Sequence, residues 1–271
     1  MLKKAIFITI YFLGINYFYC QNIISDTSKY KISYNLIYQQ DSTDIYSKRE
    51  EQMSLLIGQT YSLFQSENNR FNDSIVKSLS INYKNDAQMA VNIALSSRKK
   101  TKIKYKIFKS SKEVIVFDKI YTDKFIYKDE DKLVWNITGE TEQINNYLCQ
   151  KATTFFGGRK YTAWFTNKIP INDGPYKFKG LPGLIIKIYD SKKQYIFEFL
   201  RFEKNNTKFS FDRENAQKIS KVEFFKAYND FKNNFINQLE QRGISFDESN
   251  ASKVRESLKK TRNNEIEIKV Q

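Results

Sequence analysis

The sequence predicts a mainly β protein: a curved antiparallel sheet or half barrel with a C-terminal helix, α+β being the alternative class. Three observations point there. Aromatic residues make up 15% of the 271 residues, with 22 Phe and 18 Tyr, and such side chains suit pleated, half-buried surfaces. Apolar residues alternate with polar ones in many short stretches. These stretches follow one another closely between about 103 and 203, as in sandwiches, barrels and half barrels.

At the N-terminus, Lys3 and Lys4 precede an apolar run from Ala5 to Phe18, shorter than the ~20 residues a membrane-spanning helix needs. Residues 1–20 therefore read as a secretory signal cleaved between Cys20 and Gln21. A lipoprotein anchored through Cys20 ranks second, because Tyr19 is large for that signal. "KYKISYNLIYQ" (29–39) puts Tyr30, Ile32, Tyr34, Leu36 and Tyr38 on one face of a strand. "EQMSLLIGQTYSLFQS" reads as two strands about Gly58-Gln59. A helix is expected near 73–79 with Asp73 as its N-cap, and 82–100 reads as loop or a second helix. Strands are then expected around Ile103–Ile107, "EVIVFDKI", Phe125–Tyr127, Leu133–Ile137 and "YLCQKATTFF". Gly157-Gly158 is the tip of a hairpin running to Thr166, and "LIIKIYD" with "QYIFEFLRFE" forms another. These strands make a β-rich domain, 21–212.

Residues 213–271 form a helical extension packing on the sheet. Phe224, Phe225, Tyr228, Phe231, Phe235 and Leu239 recur at helical spacing, and Gly243 is a natural stop. "DESNASKVRESLKKTRNNEIEIKVQ" (247–271) is polar and reads as a weak helix with a loose tail.

Composition excludes several chemistries. The chain has no His, so Ser-His-Asp and Cys-His catalysis and His-containing zinc sites are out. Cys149 alone would survive signal removal, so no internal disulfide is expected; it reads as a small buried residue. "DSTD" (41–44) lacks the later ligands of a calcium loop and reads as a polar loop. No metal site or cofactor is indicated. The net charge is +15, but the lysines are scattered, and only "SRKKTKIKYK" (97–106) concentrates them. Nucleic acid is not an expected partner of an exported protein, and no transmembrane segment is expected in the mature chain.

Punctuation is concentrated in one region. Pro170, Pro175 and Pro182 are the only prolines, and "GPYKFKGLPGLIIKIYD" (174–190) holds two of them. "GLPG" suits a type II turn with Pro182 second and Gly183 third; glycine there would equally admit close approach of another group. No Lys-Ser/Thr follows, so this is no phosphate loop. The motif Gly180, Leu181, Pro182, Gly183, Leu184, Ile185, with "YLCQKATTFFGGRKYTAWFTNKIPINDGP" before it, resembles the GLPGLI family of exported Bacteroidota proteins. That family has no established activity, so the resemblance implies export and no catalytic residues. "YLCQKAT…YTAWFT" also resembles, in pattern, the half-barrel lipoprotein carriers.

The favoured function is a non-catalytic envelope module, periplasmic or associated with the outer membrane. It would bind an apolar small molecule, lipid or peptide, or an outer-membrane protein. Arg159, Tyr161, Trp164, Pro175 and Pro182 are the binding candidates. Against this stands a structural role, with Trp164 in the core and Arg159 pairing a carboxylate at a turn. The alternatives are an accessory structural protein and a hydrolase built on Glu140, Glu142, Asp173 or Asp190.

Overall fold

The computed structural model of the protein describes residues 23–212, 216–261 and 263–269. The expected signal segment and the Cys20/Gln21 boundary lie outside the described residues. The strands are β1 (Ile23–Thr27), β2 (Tyr30–Gln39), β3 (Lys48–Ile57), β4 (Ser62–Ser66), β5 (Lys106–Lys109), β6 (Val114–Ile120) and β7 (Asp123–Asp129). Then come β8 (Asn136–Ile144), β9 (Tyr147–Phe156), β10 (Arg159–Thr166), β11 (Leu184–Asp190), β12 (Tyr195–Lys204), β13 (Lys208–Asp212) and β14 (Gln217–Lys218). The helices are α1 (Glu67–Asn82), α2 (Ala87–Ser97), α3 (Lys221–Asn233), α4 (Phe235–Glu240) and α5 (Glu248–Thr261).

The protein is mostly β, built on an open twelve-stranded sheet in the order β14-β7-β6-β5-β4-β3-β2-β12-β11-β10-β9-β8. Two antiparallel meanders compose it. The first runs from β2 to β7 and the second from β8 to β12. They join where β12 pairs with β2, Tyr195 opposite Tyr38 and Lys204 opposite Tyr30. β14 adds a short parallel edge beside β7. The alternation read in 29–39 fixes the facing of β2: Ile32, Tyr34, Leu36 and Tyr38 are buried in the main core. A strand turned by one residue would bury the polar set instead. On the other face, β1 and β13 form a separate two-stranded sheet. Ile24 and Phe209 cover Leu56, Leu63, Phe108, Ile115, Phe117 and Ile126 there, a second, smaller core.

Several local expectations are corrected. The first helix starts six residues before Asp73: Ser66 caps it, its hydroxyl accepting from Asn69 N. Asp73 lies inside α1 and pairs with Lys106 (2.5 Å). Residues 82–100 contain a true helix, α2, capped by Asp86. The strand expected over 103–107 begins only at Lys106, and the one expected at Leu133 begins at Asn136. The aromatic helix of 220–243 is two helices that meet at Asn234. A reciprocal capping box between Ser220 and Glu223 starts α3.

The proline-rich stretch is a loop, residues 167–183, laid on the concave face of the sheet. Tyr176 and Phe178 enter the core against Phe156 and Tyr161, with ring centroids 6.2 and 4.7 Å apart for Tyr176–Phe156 and Phe178–Tyr161. Lys109 of β5 pairs with Asp173 and donates to the carbonyl of Gly174 (2.6 Å). The type II turn is corrected: the glycine with positive φ is Gly180 (102°), not Gly183. Gly183 is needed for closeness instead. A Cβ there would stand 2.1 Å from the carbonyl oxygen of Thr166. The stiff sequence before β11 lets the backbone lie flush on its neighbour, and the apolar run Leu184–Ile186 is fully buried beneath it.

Candidate functional site

Of the tail beyond α5, residues 263–269 are not loose. They run along the sheet as a strap, and buried polar side chains hold it. Arg159, at the start of β10, donates through Nη2 to Asn264 Oδ1 and to the carbonyl of Glu265, both at 2.6 Å. Its Nη1 reaches Asp190 (3.1 Å) and Gln194 (2.8 Å). Tyr195 donates to the Asn264 carbonyl (2.6 Å), and Tyr161 donates to that of Ile266 (3.3 Å). Asn264 Nδ2 donates to the carbonyl of Gln39 (2.7 Å). The backbone N–H of Ile268 donates to the Gly157 carbonyl (2.8 Å). The Gly-Gly tip serves two purposes. Both glycines have positive φ, 56° and 80°, as a tight hairpin needs. A Cβ on Gly157 would also meet Glu267 at 2.8 Å.

Glu267 is the deepest group of the strap. It is 3% exposed and accepts from Tyr176 Oη (2.5 Å). Lys177 bridges it (2.5 Å) to Asp129. Lys221, at the start of α3, meets Glu267 (2.8 Å), Asp131 (2.5 Å) and Asp129 (3.2 Å). Burial alone would raise the Asp129 carboxyl, yet the Lys177 ammonium, its hydrogen bond and Lys221 together hold it below the usual range. Asp129, Asp131 and Glu267 bring carboxylate oxygens within 4.8 Å of one another, a spacing a hard cation could use. Two ammonium groups already occupy those oxygens, so the arrangement works as an ion-pair network tying loop, strap and α3 to β7.

Beside this network the concave face holds a pocket of about 580 Å³, within the range of small-molecule sites. β6 and β7 give its floor, with Val116, Asp118, Ile120 and Tyr127. The segment before β5 contributes Ile103 and Tyr105, and α3 roofs it with Phe224, Phe225, Tyr228 and Phe231. Tyr38, Tyr176 and Tyr195 line the rest, with the strap from Asn264 to Glu267 as one wall. α3 is fixed above β7 by ring packing: Tyr127–Phe224 at 5.1 Å and Phe125–Phe224 at 5.9 Å between centroids. Desolvation pushes the Asp118 carboxyl up to about 7, against the N–H of Lys119 and the Lys177 charge, while Glu265 pushes it further up. Tyr105 and Tyr127 are held well above the usual phenol range, mainly by burial.

The five candidates from the sequence scatter. Arg159 and Tyr161 meet at the strap and hold it from outside the pocket. Trp164 is 8% exposed in the core, Pro175 is buried in the loop, and Pro182 is exposed at its turn. The four carboxylates considered for hydrolysis do not gather either. Glu140 and Glu142 are exposed on β8, Asp173 pairs with Lys109, and Asp190 pairs with Arg159. Cys149 is fully buried, and burial raises its thiol to about 11. Sequence reasoning missed Asp118, Tyr105, Tyr127 and the strap. The one signal available was the aromatic stripe of α3, whose inner residues both pack on β7 and face the pocket.

Residues 157–187 match a family described as "Protein of unknown function (Porph_ging)". The match begins at the Gly-Gly tip and covers Arg159, Tyr161, Tyr176 and Lys177, four of the residues that hold the strap. No curated protein matches the chain. Among solved structures, "Structure of PNGF-II in P21 space group" is 15% identical, with a TM-score of 0.49 and 74% of this chain covered. "Structure of PNGF-II in C2 space group" is 16% identical, with a TM-score of 0.48 and 75% covered. The chain spans about a third, 32%, of the length of either solved chain. Among the described residues no helix is long and apolar enough to cross a membrane.

Proposed function

We propose that the protein is an exported, GLPGLI-type binding module of the cell envelope that holds an apolar ligand or peptide in the pocket between its sheet and α3. The pocket carries this reading: aromatic side chains from β2, β7, β12, the 167–183 loop and α3 converge on one cavity. Apolar walls with a few placed polar groups are the usual make-up of a ligand site. Export rests on the basic and apolar N-terminal residues, and GLPGLI membership on Gly180–Ile185, which fall inside the matched segment 157–187.

Native mass spectrometry of the protein purified gently from its own cell envelope tests the reading. The expected result is a bound small mass that disappears in Val116→Trp, whose indole would fill the pocket, with the circular dichroism spectrum unchanged. A co-purifying protein in its place would favour the accessory role. A second reading is favoured by one observation: Asp118, with its carboxyl near 7 and Glu265 within electrostatic reach, is a candidate proton donor for a hydrolase. A bare monomer that turns over a hydrolase substrate, and loses that activity in Asp118→Asn, would overturn the binding reading.

A further inference from the structure

The basic run singled out in the sequence acquires a place in the fold. Residues 98–105 connect α2 to β5, and Arg98, Lys102 and Lys104 line the pocket, together with Lys119 of β6. The rest of the run is used elsewhere: Lys99 lies over the Phe71 ring (4.5 Å), and Lys106 pairs with Asp73. Arg98, Lys104 and Lys119 have no ion-pair partner among the described residues. Lys104 lies within electrostatic reach of the other two. The ammonium of Lys104 is lowered by desolvation and then by the charges of Arg98 and Lys119, against a weaker pull from Glu51 and Asp73. Desolvation also lowers Lys119, with repulsion from Lys106 and Lys124 and attraction from Asp73 and Asp118. The repulsion that Arg98 and Lys119 exert on the partly desolvated Lys104 is relieved by an incoming anion.

We propose that the pocket takes a single-chain amphiphile with a carboxylate head, its head group against Arg98, Lys104 and Lys119 and its chain among the rings of Tyr105, Tyr127 and Phe225. This deepens the binding-module reading above and rests on it. The two parts of such a ligand match two parts of the lining: the cations Arg98, Lys104 and Lys119, and the aromatic rings. Arg98 can grip a carboxylate with two parallel hydrogen bonds, while the two lysines supply point charge. Glu267, which also lines the pocket, is already neutralised by Lys177 and Lys221, so those two ammonium groups are engaged.

Isothermal titration calorimetry with dodecanoate and with its uncharged analogue dodecanol tests this on the wild-type chain, and needs no variant to fold. Dodecanoate is expected to bind roughly tenfold tighter than dodecanol, and to weaken as salt is raised. Lys104→Glu is expected to remove that preference, so that dodecanoate binds no tighter than dodecanol. Equal binding of acid and alcohol, both abolished by Val116→Trp, would overturn the carboxylate assignment and leave the apolar pocket standing. Binding of neither would overturn both. Displacement of bound dodecanoate by an acidic peptide but not by longer fatty carboxylates would assign the site to a peptide and overturn the proposal.

Discussion

The two meanders of the large sheet cover their concave faces in different ways. Over β9 and β10 the cover is a loop, and the space is filled: Tyr161, Ala163, Phe178, Leu181 and Ile185 are all essentially inaccessible. Over β6 and β7 the cover is a helix, and about 580 Å³ is left open between it, the sheet and the strap. A loop can follow a curved surface residue by residue, and Gly174 and Gly183 let its backbone touch the layer below. A helix is a stiff cylinder about 10–12 Å across. It meets a concave sheet along one ridge, here Phe224 and Phe231, and leaves room beside that ridge. The hollow half is therefore a consequence of what was laid on the sheet, more than of the strands themselves.

The largest expected effect is at the junction of the two halves. Lys177→Met leaves Asp129 and Glu267 buried with half their compensation, and should cost about 3–5 kcal/mol in urea unfolding. Lys187→Met, which breaks the half-exposed pair with Glu198 (2.8 Å), should cost about 0–1 kcal/mol. Similar losses for the two would show that the network does not join the halves.

Next comes a direct comparison of filled and hollow regions. Phe178→Ala should cost about 3–5 kcal/mol, as large core truncations do. Phe225→Ala, facing the pocket, should cost about 1 kcal/mol. Equal costs by calorimetry would mean that the pocket collapses around Phe225 in solution. Gly183→Ala should cost about 1–3 kcal/mol through the clash with the Thr166 carbonyl; no loss would mean that the loop rides higher than the structure places it.

The last test sharpens the comparison by pH. Asp118 and Asp129 lie on neighbouring strands and are displaced in opposite directions. The folded-state pKa of Asp118 is raised to about 7, so the folded protein holds a proton the unfolded chain would release. Its contribution is nil at low pH, turns unfavourable as pH rises from the ordinary aspartate value, and levels off above about 7. Asp118→Asn should stabilise the protein by about 1–2 kcal/mol near pH 8 and by almost nothing near pH 4. Asp129 has the opposite sign. Its lowered pKa stabilises the fold above the ordinary aspartate value, and that stabilisation is lost as pH falls through the folded pKa. Thermal melts of both Asn variants across this window separate the two; a flat difference for Asp118→Asn would mean that water reaches the carboxylate.

Much of the β framework is legible in the sequence because its signals are local. The period of two in Tyr30–Tyr38 and the turns at Gly58, Gly157-Gly158 and Asp190–Lys193 need only neighbouring residues to be read. Helix starts are less legible: Asp73 competes with Ser66, and only the hydroxyl reaching Asn69 N decides between them. The functional candidates rest on rarity of residue type around 159–182, which marks where the chain is tightly packed and not where it is open. Arg159 shows this well, since its partners are the β11–β12 turn and the strap, and none of them lies in open space.

By itself the sequence determined a mainly β protein, which strand faces turn inward, where the chain must lie close to itself, and which His-dependent chemistries are impossible. Tertiary structure alone decided that residues 263–269 of the polar tail form a strap, that the type II turn is absent, and that an open pocket exists. The pocket draws on Tyr38, Tyr105, Asp118, Tyr195, Phe224 and Glu267, and its anchor joins Lys177 to Glu267 across 90 residues. Such contacts leave no periodic trace, because a buried charge is tolerated only by partners that folding brings to it from elsewhere in the chain.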